Sequence, residues 1–202
     1  MLSREVIAEA ALELFDAAGT DGLTMSRLAK KLGVSASSLY NHIASKDDLI
    51  SLVRERVSDR IDASGFAELD WPDAVRAWAH SYREAFVAHP PTIALLATMP
   101  LGSAARTLGM YEHVVAGFER AGWQQEDIMV AMVALESFIL GSALDALAPD
   151  DMFDPGALAS QFPHFTAALD ARTAALDGRR PSDLSFELGL EALIAGFSGR
   201  YG

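Results

Sequence analysis

Gly33 stands between two short segments that each open on a hydroxyl residue: Thr24 before MSRLAKKL and Ser35 before ASSLYNHI, which keeps Leu39, Tyr40 and Ile43 in helical phase. A hydroxyl just before a helix accepts a hydrogen bond from an otherwise unpaired N–H of the first turn, and glycine is the usual residue just past a helix end. Two starts and one stop in so short a space admit little besides a pair of short helices joined by a tight turn. The segment ahead of them, Arg4 to Ala18, repeats apolar residues at Ile7, Ala11, Leu14 and Phe15, the stripe of a helix packed on one side. Together the three make a helix-turn-helix unit steadied by a first helix.

The same region is unusual in charge. The chain carries a net charge of −12, yet from Leu23 to Lys46 it holds Arg27, Lys30, Lys31 and Lys46 and no acid. A protein this acidic repels polyanions at long range, so a local cationic island is either a polyanion contact or one solvated helix face. Charge alone leaves both open.

Beyond Ser45 the 3.6-residue periodicity continues almost without interruption and few stretches resemble strands, so the fold class is all-α. Ser45 followed by Asp48 is a capping-box pattern that starts a fourth helix, Lys46 to about Asp62. The segment ASGFAELDWP reads as a linker, with Pro72 suited to the first turn of the next helix. Further helices are predicted over 72–89, 91–98, 104–121, 125–148, 156–177 and 183–200. The layout is a small N-terminal helical unit, residues 1–46, joined through a continuous fourth helix to a larger body, residues 47–202. Leu184, Leu188, Leu190, Leu193, Ile194 and Phe197 give the last helix more apolar face than one core needs, with Gly189 and Gly196 allowing close approach. Two-fold dimerisation through this helix and the 125–148 helix follows. The chain has no cysteine, so no disulfide or thiolate site. No signal peptide is expected at MLSREVIAEAALELF, and the apolar runs are read as too interrupted to span a bilayer, giving a cytoplasmic protein without a membrane partner.

The string SASSLYNH suits a helix entering a DNA groove. Ser35, Ala36, Ser37 and Ser38 are short enough for close approach, and Asn41 has the amide geometry that pairs with adenine. Lys46 at a helix start meets a phosphate by charge and beside exposed N–H groups. A plain helical hairpin with serine caps is the competing reading.

The longer string GLTMSRLAKKLGVSASSLYNHIASKDDLI resembles the DNA-binding signature of the tetracycline-repressor (TetR) family. The shared positions are Gly22, Leu23, Thr24, Leu28, Ala29, Leu32, Gly33, Val34, Leu39, Tyr40, His42, Lys46 and Leu49. The segments WPDAVRAWAHSYREAFVAHP, FERAGWQQEDIMVAMVALESFILGSALD and ELGLEALIAGF are similar to the family's body, mostly as apolar pattern plus Trp71, Arg83, His89, Gly122 and Gly141. The resemblance implies a homodimeric repressor of double-stranded operator DNA that is released by a small organic effector. It implies phosphate contacts from Thr24, Tyr40 and Lys46, with Arg27 beside them. Base contacts are implied for Ser26, Ala36, Ser37, Ser38 and Asn41, and His42 is implied as a helix support or a phosphate contact. An arginine that reads bases in tetracycline repressors falls at Ser26, so the operator differs.

For the effector the resemblance implies a pocket lined by Trp78, Tyr82, Leu95, Leu96, Met99, Met110, Val114, Met129, Met132 and Glu136. Ordinary helical core is the alternative for each. Glu136 lies among apolar neighbours and is expected either to bond a ligand or interface donor or to face solvent. The histidine that tetracycline repressors use for the drug's magnesium falls on Leu95 or Leu96, and Asp145 alone does not replace it. No metal and no cofactor are expected, and the effector is expected to be largely apolar. Phosphate loops, G-x-S-x-G elbows and metal signatures are all missing, which argues against an enzyme. The remaining alternatives are a helical interaction protein and a constitutive or activating DNA-binding regulator without an effector.

Overall fold

The computed structural model describes residues 1–201, and its described elements are all helical. In chain order they are α1 (Arg4–Gly22), α2 (Met25–Leu32), α3 (Ala36–Tyr40), α4 (Lys46–Ser58), α5 (Gly65–Glu68) and α6 (Trp71–Val87). There follow α7 (Thr92–Thr98), α8 (Ala105–Arg120), α9 (Gln125–Asp145), a 3-10 turn (Gly156–Gln161), α10 (Pro163–Ala174) and α11 (Pro181–Tyr201).

The caps form as the sequence requires. Thr24 accepts from the Arg27 N–H, Ser35 from Ser38 and Ser45 from Asp48. Gly33 closes α2 in the left-handed region, φ 67° and ψ 29°, which a side chain would strain. The reciprocal half of the capping box goes elsewhere. The Asp48 carboxylate takes the Ala44 N–H at 2.9 Å and the Arg4 guanidinium at 2.6 Å, pinning the start of α4 to α1. The Arg4 hydrogen bond holds the Asp48 carboxyl below its usual range against the opposing effect of burial.

α1 is kinked at Ala18 and Gly19, where the predicted helix ended, and a final turn runs on to Gly22. α4 ends at Ser58, short of the predicted Asp62. The expected linker contains α5, because Phe66 is buried between Trp78 and Phe118, with ring centroids at 6.1 and 5.8 Å. The helix predicted over 156–177 is divided at Phe162. Pro163 has no N–H to continue the preceding turn and instead opens α10 from its first positions.

One apolar cluster runs through both parts of the chain. Ile7, Phe15, Leu28, Leu39 and Ile43 pack against Leu49 and Val53 of α4, and Val57 carries the same surface toward the body. There α6 and α9 pack around Trp78, Val114, Phe118, Leu135 and Ile139. A second link joins α1 to the α6–α7 turn, where the buried His89 Nδ1 lies 2.7 Å from Asp16 Oδ2.

α9 departs from the expectation that no run is apolar enough to cross a bilayer. An 18-residue window within its 21 residues reaches a mean hydropathy of 1.8, with 33% of that window buried in the chain. The inward face, Ile128, Leu135 and Ile139, is core; Met129, Val130 and Val133 on the outward face are exposed. α11 likewise buries Phe186, Leu190 and Ile194 and leaves Leu188 at 76% exposure. Gly189, expected to admit a partner chain, admits α9 of the same chain. A Cβ there would sit 2.5 Å from the Phe138 ring. No residue from 147 to 180 is buried, so the 3-10 turn and α10 lie on the outside of the chain.

Candidate functional site

Two candidate sites emerge, one on the N-terminal unit and one inside the body. Short helices with interleaved small residues leave α2 and α3 with one packed side and one open side. Leu28, Ala29 and Leu39 turn inward. Thr24, Ser26, Arg27, Ala36, Ser37, Asn41 and Lys46 are exposed, and Ser38 and His42 are half-buried. Tyr40 is 57% exposed, because its neighbour Leu39 takes the core position, so it is not a core aromatic. All ten sequence-predicted contact residues therefore keep some access to solvent around α2, α3 and the start of α4.

Local bonds change how those residues are available. Ser35 Oγ lies 2.8 Å from both Ser37 Oγ and Ser38 Oγ, so the serine run organises its own cap as well as its outer face. α3 stops at Tyr40, leaving Asn41 as its C-cap and not an interior position. Lys31 is taken by Glu13 at 2.5 Å, and Arg27 Nη1 reaches the Asp21 carbonyl at 3.5 Å. Arg27, Lys30 and Lys46 have no ion-pair partner among the described residues, so they carry most of the island's field.

The body holds a cavity of about 600 Å³ between α4, α6, α7, the α7–α8 loop, α8 and α9. Of the ten residues predicted to line it, Tyr82, Leu96, Met99, Met132 and Glu136 do so. The other five do not. Trp78, Met110 and Val114 are core, with Trp78 Nε1 pointing at Met110 Sδ at 3.4 Å. Leu95 packs beside the core without reaching the cavity, and Met129 is 52% exposed on the outer side of α9. Met129 and Met132 share a helix and a residue type and stand only about 60° apart around it, so the edge between the outer and the packed side of α9 falls between them.

Glu136 is half-buried and finds its donors within its own chain. Its Oε1 accepts from the Tyr82 hydroxyl at 2.9 Å and the Tyr111 hydroxyl at 2.5 Å. Burial raises its carboxyl above the usual range against the pull of these two donors. Burial, followed by the Glu136 charge, pushes both phenols up, so they stay protonated and keep donating.

Sequence reasoning missed Arg54 and Tyr111. Arg54 is a buried charge whose guanidinium, its pKa lowered by burial, donates through Nη2 to the Met99 carbonyl at 2.7 Å. A signal was available: Ile50, Arg54 and Val57 fall at i, i+4 and i+7, so the arginine lies on a buried stripe.

Leu96, one of the two positions on which the resemblance places the family's metal histidine, lines the cavity, Asp145 is exposed and outside the lining, and no trio of metal-binding side chains clusters among the described residues.

The comparisons with known proteins cover both sites. The family model described as "Bacterial regulatory proteins, tetR family" matches residues 7–53, and "Tetracyclin repressor-like, C-terminal domain" matches residues 67–201. An HTH-type transcriptional regulator of Saccharopolyspora erythraea is 29% identical over 100% of this chain and 87% of its own length. The tetracycline repressor protein class A of Escherichia coli is 29% identical, covering 98% of this chain and 92% of that one. ActR of Streptomyces coelicolor, solved with (S)-DNPA, superposes with a TM-score of 0.78 at 29% identity over 98% of both chains. With a helix-turn-helix whose reading side is open, a cavity in the helical body and both family models matched, the chain belongs to the tetracycline-repressor (TetR) family, dimeric regulators that bind operator DNA and respond to small molecules.

Proposed function

We propose that residues 1–46 of each subunit read one half of a palindromic operator, and that residues 47–202 release it when an organic molecule fills the cavity without a metal. The observation that carries this reading is the position of Arg54. It lines the cavity from α4, the same helix whose first residue, Lys46, lies on the DNA-reading side. A ligand there touches the element that sets the separation of the two reading units. It shifts their equilibrium only by its differential affinity for the two spreads. Mostly apolar walls, including Phe86, Ile93, Leu96 and Leu140, favour a hydrophobic effector skeleton. The work is that of a regulator, done in the cytoplasm where the DNA is. ActR has been solved in complex with actinorhodin, which supports an organic effector for this chain.

Dimerisation completes the reading. The apolar outer faces of α9, α11 and the unburied 147–180 segment cover one another when two copies meet about a two-fold axis. Recognition helices then stand about 34–36 Å apart, one turn of the groove. Selection of bound genomic fragments supplies the operator, and release of that fragment by candidate molecules tests the effector. EDTA should leave release unchanged; release that needs a divalent cation overturns the metal-free reading.

Thr24, Tyr40, Lys46 and Arg27 act on phosphates in this reading, with His42 in support. Ser26, Ala36, Ser37, Ser38 and Asn41 face bases. Lys46→Ala should weaken binding to every sequence and flatten the log-log salt slope by about one unit. Asn41→Ala should instead lose about 1–3 kcal/mol of discrimination at particular base pairs. Titration of operator variants at several salt concentrations separates them, and uniform loss in both variants contradicts the division.

A further inference from the structure

We propose that the cavity's ligand is an organic anion, an acidic oxygen group on a hydrophobic skeleton, received by the guanidinium of Arg54. This rests on the reading of the cavity as the effector site. Arg54 is 7% exposed and lines the cavity, and it is the lining's cation. Its Nη2 donates to the carbonyls of Met99 at 2.7 Å and Pro100 at 3.4 Å. Among the described residues Nε and Nη1 have no hydrogen-bond partner, and no carboxylate lies within ion-pair distance. The cavity's acid, Glu136, is committed to the hydroxyls of Tyr82 and Tyr111.

Glu136 acts on Arg54 through space but forms no ion pair with it, whereas buried charges are ordinarily paired directly. This one is oriented by two backbone carbonyls and turned toward open space. Guanidinium presents a planar fork that carboxylates and similar anions match with two parallel bonds. The volume of about 600 Å³ and the side chains of Phe86, Leu96, Met132 and Leu140 supply room and contact for the rest of the molecule. The effector is therefore amphipathic: apolar in body and anionic at the end that meets α4.

Two dyes make the test. Anilinonaphthalene sulfonate (ANS) and its uncharged parent phenylnaphthylamine (NPN) share a ring system and differ by the sulfonate. The net charge of −12 disfavours ANS at long range, so any preference for it reports a local receptor. Fluorescence titration of the full-length protein should show ANS binding at one site per chain about ten- to a hundred-fold tighter than NPN. Arg54→Gln should remove that preference and leave NPN affinity within about twofold. Arg54→Lys, which keeps the charge and loses the fork, should fall between and serves if the glutamine variant does not fold. Saturable binding with no ANS preference in the wild type, or a preference indifferent to Arg54→Gln, overturns the anion assignment while leaving the cavity reading intact. Failure of both dyes to bind saturably overturns both.

Discussion

Replacing Trp78 by alanine should destabilise the protein by about 3–5 kcal/mol, the range for deleting a large buried aromatic. At roughly 2–4 °C per kcal/mol for a chain of this size, the melting temperature should fall by about 6–20 °C. Trp78 is fully buried, meets Phe66 and Tyr82 edge-on at 6.1 and 5.3 Å, and aims its N–H at the Met110 sulfur. Its removal leaves a void among rings that have no alternative packing, and it loosens Tyr82, one of the two donors to Glu136. A position facing the cavity would behave differently, since truncation there only enlarges an existing space. Urea unfolding decides the matter. A Trp78→Ala variant within about 1 kcal/mol of wild type, changed only in its response to ligand, would return this residue to the cavity wall.

That contrast marks where the sequence was legible. Thr24, Gly33, Ser35 and Ser45 fix helix ends through bonds made within three or four residues, and those ends appear where the sequence places them. Leu39 and Tyr40 divide between core and surface for the same local reason, the phase of one short amphipathic turn. The cavity depends instead on how α4, α6, α7, α8 and α9 leave space between them, which no single helix encodes. Around α9, apolar residues occupy nearly every direction, so phase does not separate Met129 from Met132 or core from interface. Arg54 was legible only as an anomaly, a charge on an apolar stripe, and the meaning of the anomaly required α7 and α9 beside it. The stretch 156–177 reads as an ordinary helix in sequence, and the lack of burial from 147 to 180 becomes visible only when the rest of the chain is in place.

The largest functional effect should come from a residue that touches neither DNA nor ligand. Leu188→Asp should convert the dimer to monomer at micromolar concentration without lowering the stability of the isolated fold. Leu188 is 76% exposed on α11, whereas Phe186 and Leu190 on either side are buried in the same chain. The substitution therefore removes almost no intrachain packing. In a two-fold interface the change occurs twice, and each copy places a carboxylate into an apolar face without a counter-ion, a burial that costs several kcal/mol. Every 1.4 kcal/mol is tenfold in the dissociation constant, so a micromolar sample lies far below the new midpoint. Operator binding should then fall steeply, since each monomer holds only one half-site and loses the effective concentration supplied by its twin. Non-specific binding, set by Lys46, Lys30 and their neighbours on one subunit, should fall much less. Sedimentation and operator titration on the same preparation test both halves of the argument: a variant that stays dimeric places the interface elsewhere, and a monomer with undiminished operator affinity removes the need for two-fold recognition.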